Sequence, residues 1–183
     1  MRLAFDEAKA TQTAAFFLKL AGGSLNYLAL IKLLYRADRE ALRRWGLPIT
    51  TDKYASMRLG PVTSTIYDLI KASANPNAHP TFWSSHIKKS HVDVTLDRDP
   101  GVSELSPAEE RLLQEIFAAD GGKSGFELAD ECHRDFPEWT DPGNSSIPLE
   151  IEEIIEALKL SEDESSRVES LIGVQRAARQ LAV

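Results

Sequence analysis

One cysteine, Cys132, is all the chain has, so no disulfide can close within it and nothing in it calls for an oxidising compartment. Long apolar runs are missing too. The first twenty residues scatter Asp6, Glu7, Lys9 and Lys19 among their apolar positions, which suits neither a secretory leader nor a membrane span, and a cytoplasmic location is expected. A positive balance is lacking: 28 acids outnumber 21 Lys and Arg, for a formal net charge of −7. Residues 1–75 hold 11 Lys and Arg against 6 acids, whereas residues 76–183 hold 10 against 22. From Glu127 to Glu164 there are 13 acids against Arg134 and Lys159 alone, a stretch that repels a phosphate backbone and attracts a basic surface. A phosphate-cradling glycine loop, a serine nucleophile elbow and a zinc-protease signature are all absent, and Gly22-Gly23 and Gly121-Gly122 read more simply as helix stops. No cofactor and no metal is expected.

What is present is enough for a single domain: 183 residues, 43% of them hydrophobic. The periodicity predicts a first helix from Asp6, as N-cap, to Ala21, with Ala10, Ala14, Phe17 and Leu18 on one face. Ser24 or Asn26 can cap a second helix, apolar almost all round from Tyr27 to Tyr35 except for Lys32, ending at Gly46. After Pro48, Tyr54 to Arg58 reads as a short strand. Gly60-Pro61 then breaks it and is expected to open a helix carrying Ile66, Leu69 and Ile70. Ser73 to Pro80 reads as loop, and His91 to Leu96 as a half-buried strand antiparallel to the one ending at Arg58. Ser106 to Glu109, Ser124 to Glu127 and Ser161 to Glu164 have capping-box spacing and open three further helices; Ile151, Ile154, Ile155 and Leu158 mark another between them. Val168, Leu171, Ile172 and Leu181 stripe the last helix, and Arg176 and Arg179 suit its dipole. The expectation is a mainly α (α+β) domain: about seven helices around a core, with a small two- or three-stranded antiparallel β element inserted.

Several polar residues invite a chemical reading. Asp38 falls on the packed stripe formed by Ile31, Tyr35, Leu42 and Trp45, so it must be hydrogen-bonded, either capping a turn or meeting an arginine such as Arg58; a catalytic carboxylate is the sharper alternative. His133, among Asp130, Glu131 and Asp135, has the makings of an oriented base, but a helix-end histidine beside Phe136 to Trp139 more often makes one backbone bond and packs on a ring. His86 and His91 lack a third ligand for zinc. Cys132 reads as a small core residue. Arg36, Arg39, Arg43 and Arg44, placed on the exposed side of the second helix, are the one candidate nucleic-acid footprint, and an ordinary solvated helix face accounts for them as well.

The order and spacing of certain pieces carry a resemblance. Lys32-Leu33-Leu34-Tyr35, Asp38, Gly46 with Pro48-Ile49-Thr50, Asp52-Lys53-Tyr54, Gly60-Pro61-Val62 and Tyr67 form the first half. Leu105-Ser106-Pro107 with Glu109 and Glu110, then Leu128, His133, Trp139, Ile147 and Ile151, form the second. Together, over about Leu25 to Leu158, the chain resembles the Panacea domain, the SocA-like antitoxins of bacteria and their phages. The resemblance implies a protein that is no enzyme and that holds and neutralises a toxin encoded beside it. The domain itself is expected to take in residues 1–160, and 161–183, outside the resemblance, to form a helical extension packed on it, a candidate for gripping the toxin or making a homodimer. Related readings are an adaptor that delivers the toxin to a protease and a DNA-binding regulator, the latter opposed by the acidic balance. A hydrolase using Asp38 or His133 requires both to line one wet pocket. Because scaffolds carry recognition on their loops, the contact surface is expected around the Gly/Pro turns, with Trp45, Lys53, Arg58 and Thr63 as partner-binding candidates.

Overall fold

The computed structural model describes residues 4–75 and 77–181. The side chains of Arg176, Arg179 and Leu181 lie outside the described residues, as does Pro76 within the loop expected from Ser73 to Pro80. Seven helices dominate, with two small three-stranded antiparallel sheets inserted among them. The mainly α class expected from the periodicity holds, and the β content falls in two places rather than one.

Helix α1 (Glu7–Leu20) begins where the Asp6 carboxylate accepts the Lys9 N–H at 3.0 Å. Strand β1 (Ser24–Asn26) follows, and Asn26 then caps α2 (Tyr27–Trp45) by accepting the Leu28 N–H at 2.9 Å. Helix α2 is the axis of the molecule. Every residue from Leu28 to Tyr35 is buried, because α1, α4 (Pro107–Asp120) and α5 (Gly125–Asp135) all pack around it. It stops at Gly46, which takes the left-handed conformation (φ 81°) and donates its N–H to Leu42 at 2.9 Å. The capping boxes at Ser106–Glu109 and Ser124–Glu127 both form, as does the reciprocal pair at Ser161–Glu164.

The Gly60-Pro61 step departs from expectation. Strand β2 (Tyr54–Met57) turns through Arg58-Leu59 into a second strand, β3 (Gly60–Thr63), pairing Met57 with Gly60 and Tyr54 with Thr63. Pro61 therefore sits in a strand, not in the first turn of a helix. It is tolerated there because β3 is an edge of its sheet, whose order is β3-β2-β6, where a missing N–H costs little. The helix α3 starts later (Ser64–Ala72) and its N-terminus is satisfied from across the hairpin: the Asp52 carboxylate accepts the Thr65 and Ile66 N–H groups at 3.0 and 2.9 Å.

A second correction concerns the other strand. The predicted strand at 91–96 is β5 (Asp93–Leu96), and it pairs with β4 (Ile87–Ser90) and β1, not with β2. The neighbour of β2 is β6 (Ser146–Leu149), in register Ser56 to Ile147 and Tyr54 to Leu149.

The core has two parts. Alanine, phenylalanine and leucine side chains of α1 and α2 meet Trp83, Ile87, Val94, Leu112, Leu113 and Leu128 in the larger. In the smaller, Tyr35, Leu42 and Tyr54 meet Leu149, Ile151, Ile154 and Ile155 of β6 and α6 (Ile151–Ala157), together with Val168 and Ile172 of α7 (Glu162–Leu181). Each such fully buried Leu or Ile contributes about 1.5–3 kcal/mol.

Candidate functional site

Three polar residues of α2, spaced three apart, each reach a different part of the chain. Lys32 donates to the Pro61 carbonyl of β3 at 2.8 Å. The Tyr35 hydroxyl donates to Glu138, beyond α5, at 2.9 Å. Asp38 accepts from the Thr50 N–H at 2.8 Å, from the Thr50 hydroxyl, and from the Tyr54 hydroxyl at 3.0 Å. A step of three residues turns the helix by about 60° short of a full circle, so the three side chains fan round one side of α2. The β2–β3 hairpin is thereby braced at both ends by one helix.

Asp38 is 1% exposed. Burial pushes its carboxyl up to about 6, against the opposing pull of the Thr50 and Tyr54 hydrogen bonds. The expected turn cap is the one that forms; Arg58 is exposed and does not reach it. Its neighbour Tyr54 meets Tyr35 edge-on at 5.7 Å, linking this cluster to the next. There Arg39 donates to both oxygens of Glu138, at 2.7 and 3.3 Å, and lies over the Phe136 ring at 4.5 Å. Trp139 completes the brace by donating its indole N–H to the Met57 carbonyl at 2.9 Å. His133 stacks on Trp139 at 4.0 Å, packing on a ring as expected, but no backbone bond forms: its Nε2 is buried and unpartnered among the described residues.

Of the arginines of α2, Arg43 and Arg44 are exposed as their spacing suggested, whereas Arg36 and Arg39 are half-buried, and all four are paired with acids. Arg36 pairs with Asp120 at 3.0 Å and Glu131 at 2.8 Å, Arg39 with Glu138, Arg43 with Glu40, and Arg44 with Glu40 and Glu115. Their charge is spent on acids of the same chain. His86 and His91 stay apart in role: His86 Nδ1 bonds to Phe82, and His91 sits in the β4–β5 turn with φ 55°. Among the described residues no three metal-ligating side chains come together.

In front of the hairpin, α2 and α3 leave a groove with about 200 Å³ of open volume. Its lining includes Tyr27, Ile31, Lys32, Met57, Gly60 and Tyr67, with Arg58 also on its wall. Gly60 (φ 95°) is required twice over: neither turn residue has positive φ, so the left-handed position falls on it, and an added Cβ would come within 2.9 Å of Lys32 Nζ and 3.2 Å of Cys132 Cβ. Lys32, the polar exception in the apolar stretch from Tyr27 to Tyr35, is itself fully buried. Burial pushes its ammonium down to about 8, with the charge of Arg36 acting in the same direction.

Of the four partner-binding candidates, Arg58 lines the groove and is exposed, Lys53 is exposed beside the hairpin, and Trp45 is half-buried against the main core. Thr63 is a correction. It is wholly buried, with no surface to present. The groove residues that sequence reasoning passed over, Tyr27, Ile31 and Met57 among them, come from separate segments and meet only in the fold.

Lys32→Met keeps the stem of the side chain and removes its charge. Because the folded value of about 8 lies below the ordinary 10.5, the unfolded state binds more protons between the two, and wild-type stability rises with pH across that window. At pH 7 relief of the buried charge, about 3 kcal/mol, outweighs the lost bond to Pro61, about 1 kcal/mol. The variant is therefore expected to melt at or above the wild-type temperature at pH 7, and the wild type to gain on it by pH 10. A gap that does not change between those pH values would show that the ammonium is not desolvated.

Taken together, these features define a class: a mainly helical scaffold in which one central helix braces a β-hairpin beside an open apolar groove. More particularly, the chain belongs to the family described as "Antitoxin SocA-like, Panacea domain", whose family model matches residues 30–140. The match spans Lys32, Tyr35, Asp38, Gly46, Pro48, Gly60, Pro61, Tyr67, His133 and Trp139, and leaves β6, α6 and α7 outside. No curated protein and no solved structure matches the chain. Among the described residues no helix is long and apolar enough to cross a membrane.

Proposed function

We propose that this antitoxin-family chain binds and neutralises a toxin encoded beside it by direct contact, and that the contact centres on the groove and the hairpin tip. One observation carries the reading. The groove is open, is braced from behind by residues of the family-matched segment, and is walled by Tyr27, Met57, Arg58 and Tyr67, residue types over-represented at the energetic centres of protein interfaces. Occlusion of an active site needs no bond-making chemistry. The groups with catalytic potential support that view: Asp38 is committed to three donors, and the His133 ring is stacked on Trp139. The paired arginines of α2 likewise speak against a nucleic-acid partner.

Co-expression with the adjacent gene product tests this. The full chain is expected to restore growth, and Lys53→Glu combined with Arg58→Glu to weaken the complex about tenfold, because both side chains are exposed and charge reversal there leaves the core untouched. Wild-type rescue by the double variant would take the two residues out of the contact surface; absence of any complex with the wild-type chain would overturn the proposal.

A further inference from the structure

Lys32 is an incompletely satisfied cation. An ammonium offers three N–H donors, and the Pro61 carbonyl takes one at 2.8 Å; among the described residues no carboxylate pairs with it, although it is wholly buried. Its charged surroundings supply no anion. Arg36 is a second cation, and burial pushes the Cys132 thiol up, which keeps it neutral. Arg58, on the same groove wall, is exposed and holds no ion pair among the described residues. This is not a general shortage: four arginines of α2 each have a carboxylate. Two cations without acids therefore line one apolar cleft in a chain of net charge −7.

We infer that the groove receives an acidic, apolar segment of the toxin: an aliphatic or aromatic side chain seats among Ile31, Met57 and Val62, an acid of the segment meets the exposed Arg58, and a second carboxylate draws the buried Lys32 ammonium past Gly60 into the groove to donate to it. Charge complementarity selects this occupant. A phosphate backbone fits poorly, because walls of Ile31, Leu28 and Val62 strip its water without replacing the donors it loses. The buried cation gains most from an anion that arrives with its own apolar cover, since the pair is then sealed from solvent. The inference rests on the antitoxin reading above and adds to it the chemistry of the ligand.

The test has two arms on the full-length chain. In the first, 3-phenylpropionate and its neutral amide are titrated against the protein while the Gly60 amide and Met57 methyl signals are followed by NMR. The carboxylate is expected to bind about tenfold tighter than the amide, and Lys32→Met to abolish that preference. In the second, affinity for the adjacent gene product is measured. Lys32→Met and Arg58→Gln are each expected to weaken it by about tenfold or more. One Asp or Glu of the toxin, replaced by its amide, should cost as much and show no further loss when combined with Lys32→Met. Equal binding of carboxylate and amide, or toxin affinity within twofold of wild type in both variants, overturns the inference and leaves the antitoxin reading standing. Should Lys32→Met fail to fold, Arg58→Gln at the exposed turn and the fragment preference of the wild type decide alone. A wild-type chain that binds no adjacent product brings down the antitoxin reading itself, and the inference with it.

Discussion

Asp38→Ala is expected to destabilise the protein by about 3 kcal/mol, or roughly 6–12 °C in Tm for a chain of this size. The substitution leaves three donors, the Thr50 N–H, the Thr50 hydroxyl and the Tyr54 hydroxyl, without an acceptor in a site 1% exposed. Each such orphan costs about 1–3 kcal/mol, partly offset by removal of a desolvated charge. Asp38→Asn keeps one acceptor oxygen and should lose less. The pair also separates packing from titration. Because burial raises the folded carboxyl to about 6, above its ordinary 3.8, the folded state takes up a proton between those values that the unfolded state does not. Stability from this group is therefore greatest at the acid end of that window and declines as pH rises through 6. Thermal melts from pH 4 to pH 7 should show wild type losing ground to Asp38→Asn with rising pH. Parallel curves, or an Ala variant melting like wild type, would mean the carboxyl is not the buried hub described here.

A comparable loss, about 3–5 kcal/mol, is expected for Glu138→Ala, because breaking a buried pair from one side leaves the other charge uncompensated. The Glu138 side chain is wholly buried and Arg39 is 17% exposed, so solvent can do little to replace the pair. Tyr35 loses its acceptor in the same step. Burial, followed by the charge of Glu138, holds the Tyr35 hydroxyl well above its ordinary range, so it is a protonated donor at neutral pH. Glu138→Gln retains an acceptor for Tyr35 and half of the Arg39 fork, and should recover part of the stability. Combining Glu138→Ala with Arg39→Ala should cost less than the two single losses added, by about 1–3 kcal/mol. Additive losses in denaturant unfolding would show that the two side chains do not act as a pair.

What could be read in advance divides along sequence distance. The capping boxes at Ser106 and Ser124 involve residues three apart, and they formed as written. Helix α2 was legible because its apolar positions run almost without a break, and Asp38 was legible as a buried acid that needed a partner. The second strand of the hairpin was hidden by its turn: Arg58-Leu59 carries none of the Asn-Gly chemistry that announces a tight hairpin, and the positive φ is displaced onto Gly60, next to a proline that reads as a helix opener. Strands β1 and β6 were hidden by remoteness, since Ser24 pairs with Thr95 and Ser56 with Ile147. The half-burial of Arg36 and Arg39 is hidden for the same reason. Arg36 and Arg39 find their acids 84 to 99 residues away, and without those partners in view a helix-borne arginine looks solvated. Lys32 was recognised as part of a motif, but its burial depends on a carbonyl from another strand, which no local pattern reveals.

The hairpin is fastened from behind, through the Pro61 and Met57 carbonyls and the Asp52 carboxylate, and among the described residues the Arg58 side chain holds no hydrogen bond of its own. Structural duty and outward presentation thus fall on different residues of the same loop. Arg58, exposed at the tip, can therefore change without loosening what lies beneath it, so the architecture puts little constraint on the chemistry displayed there.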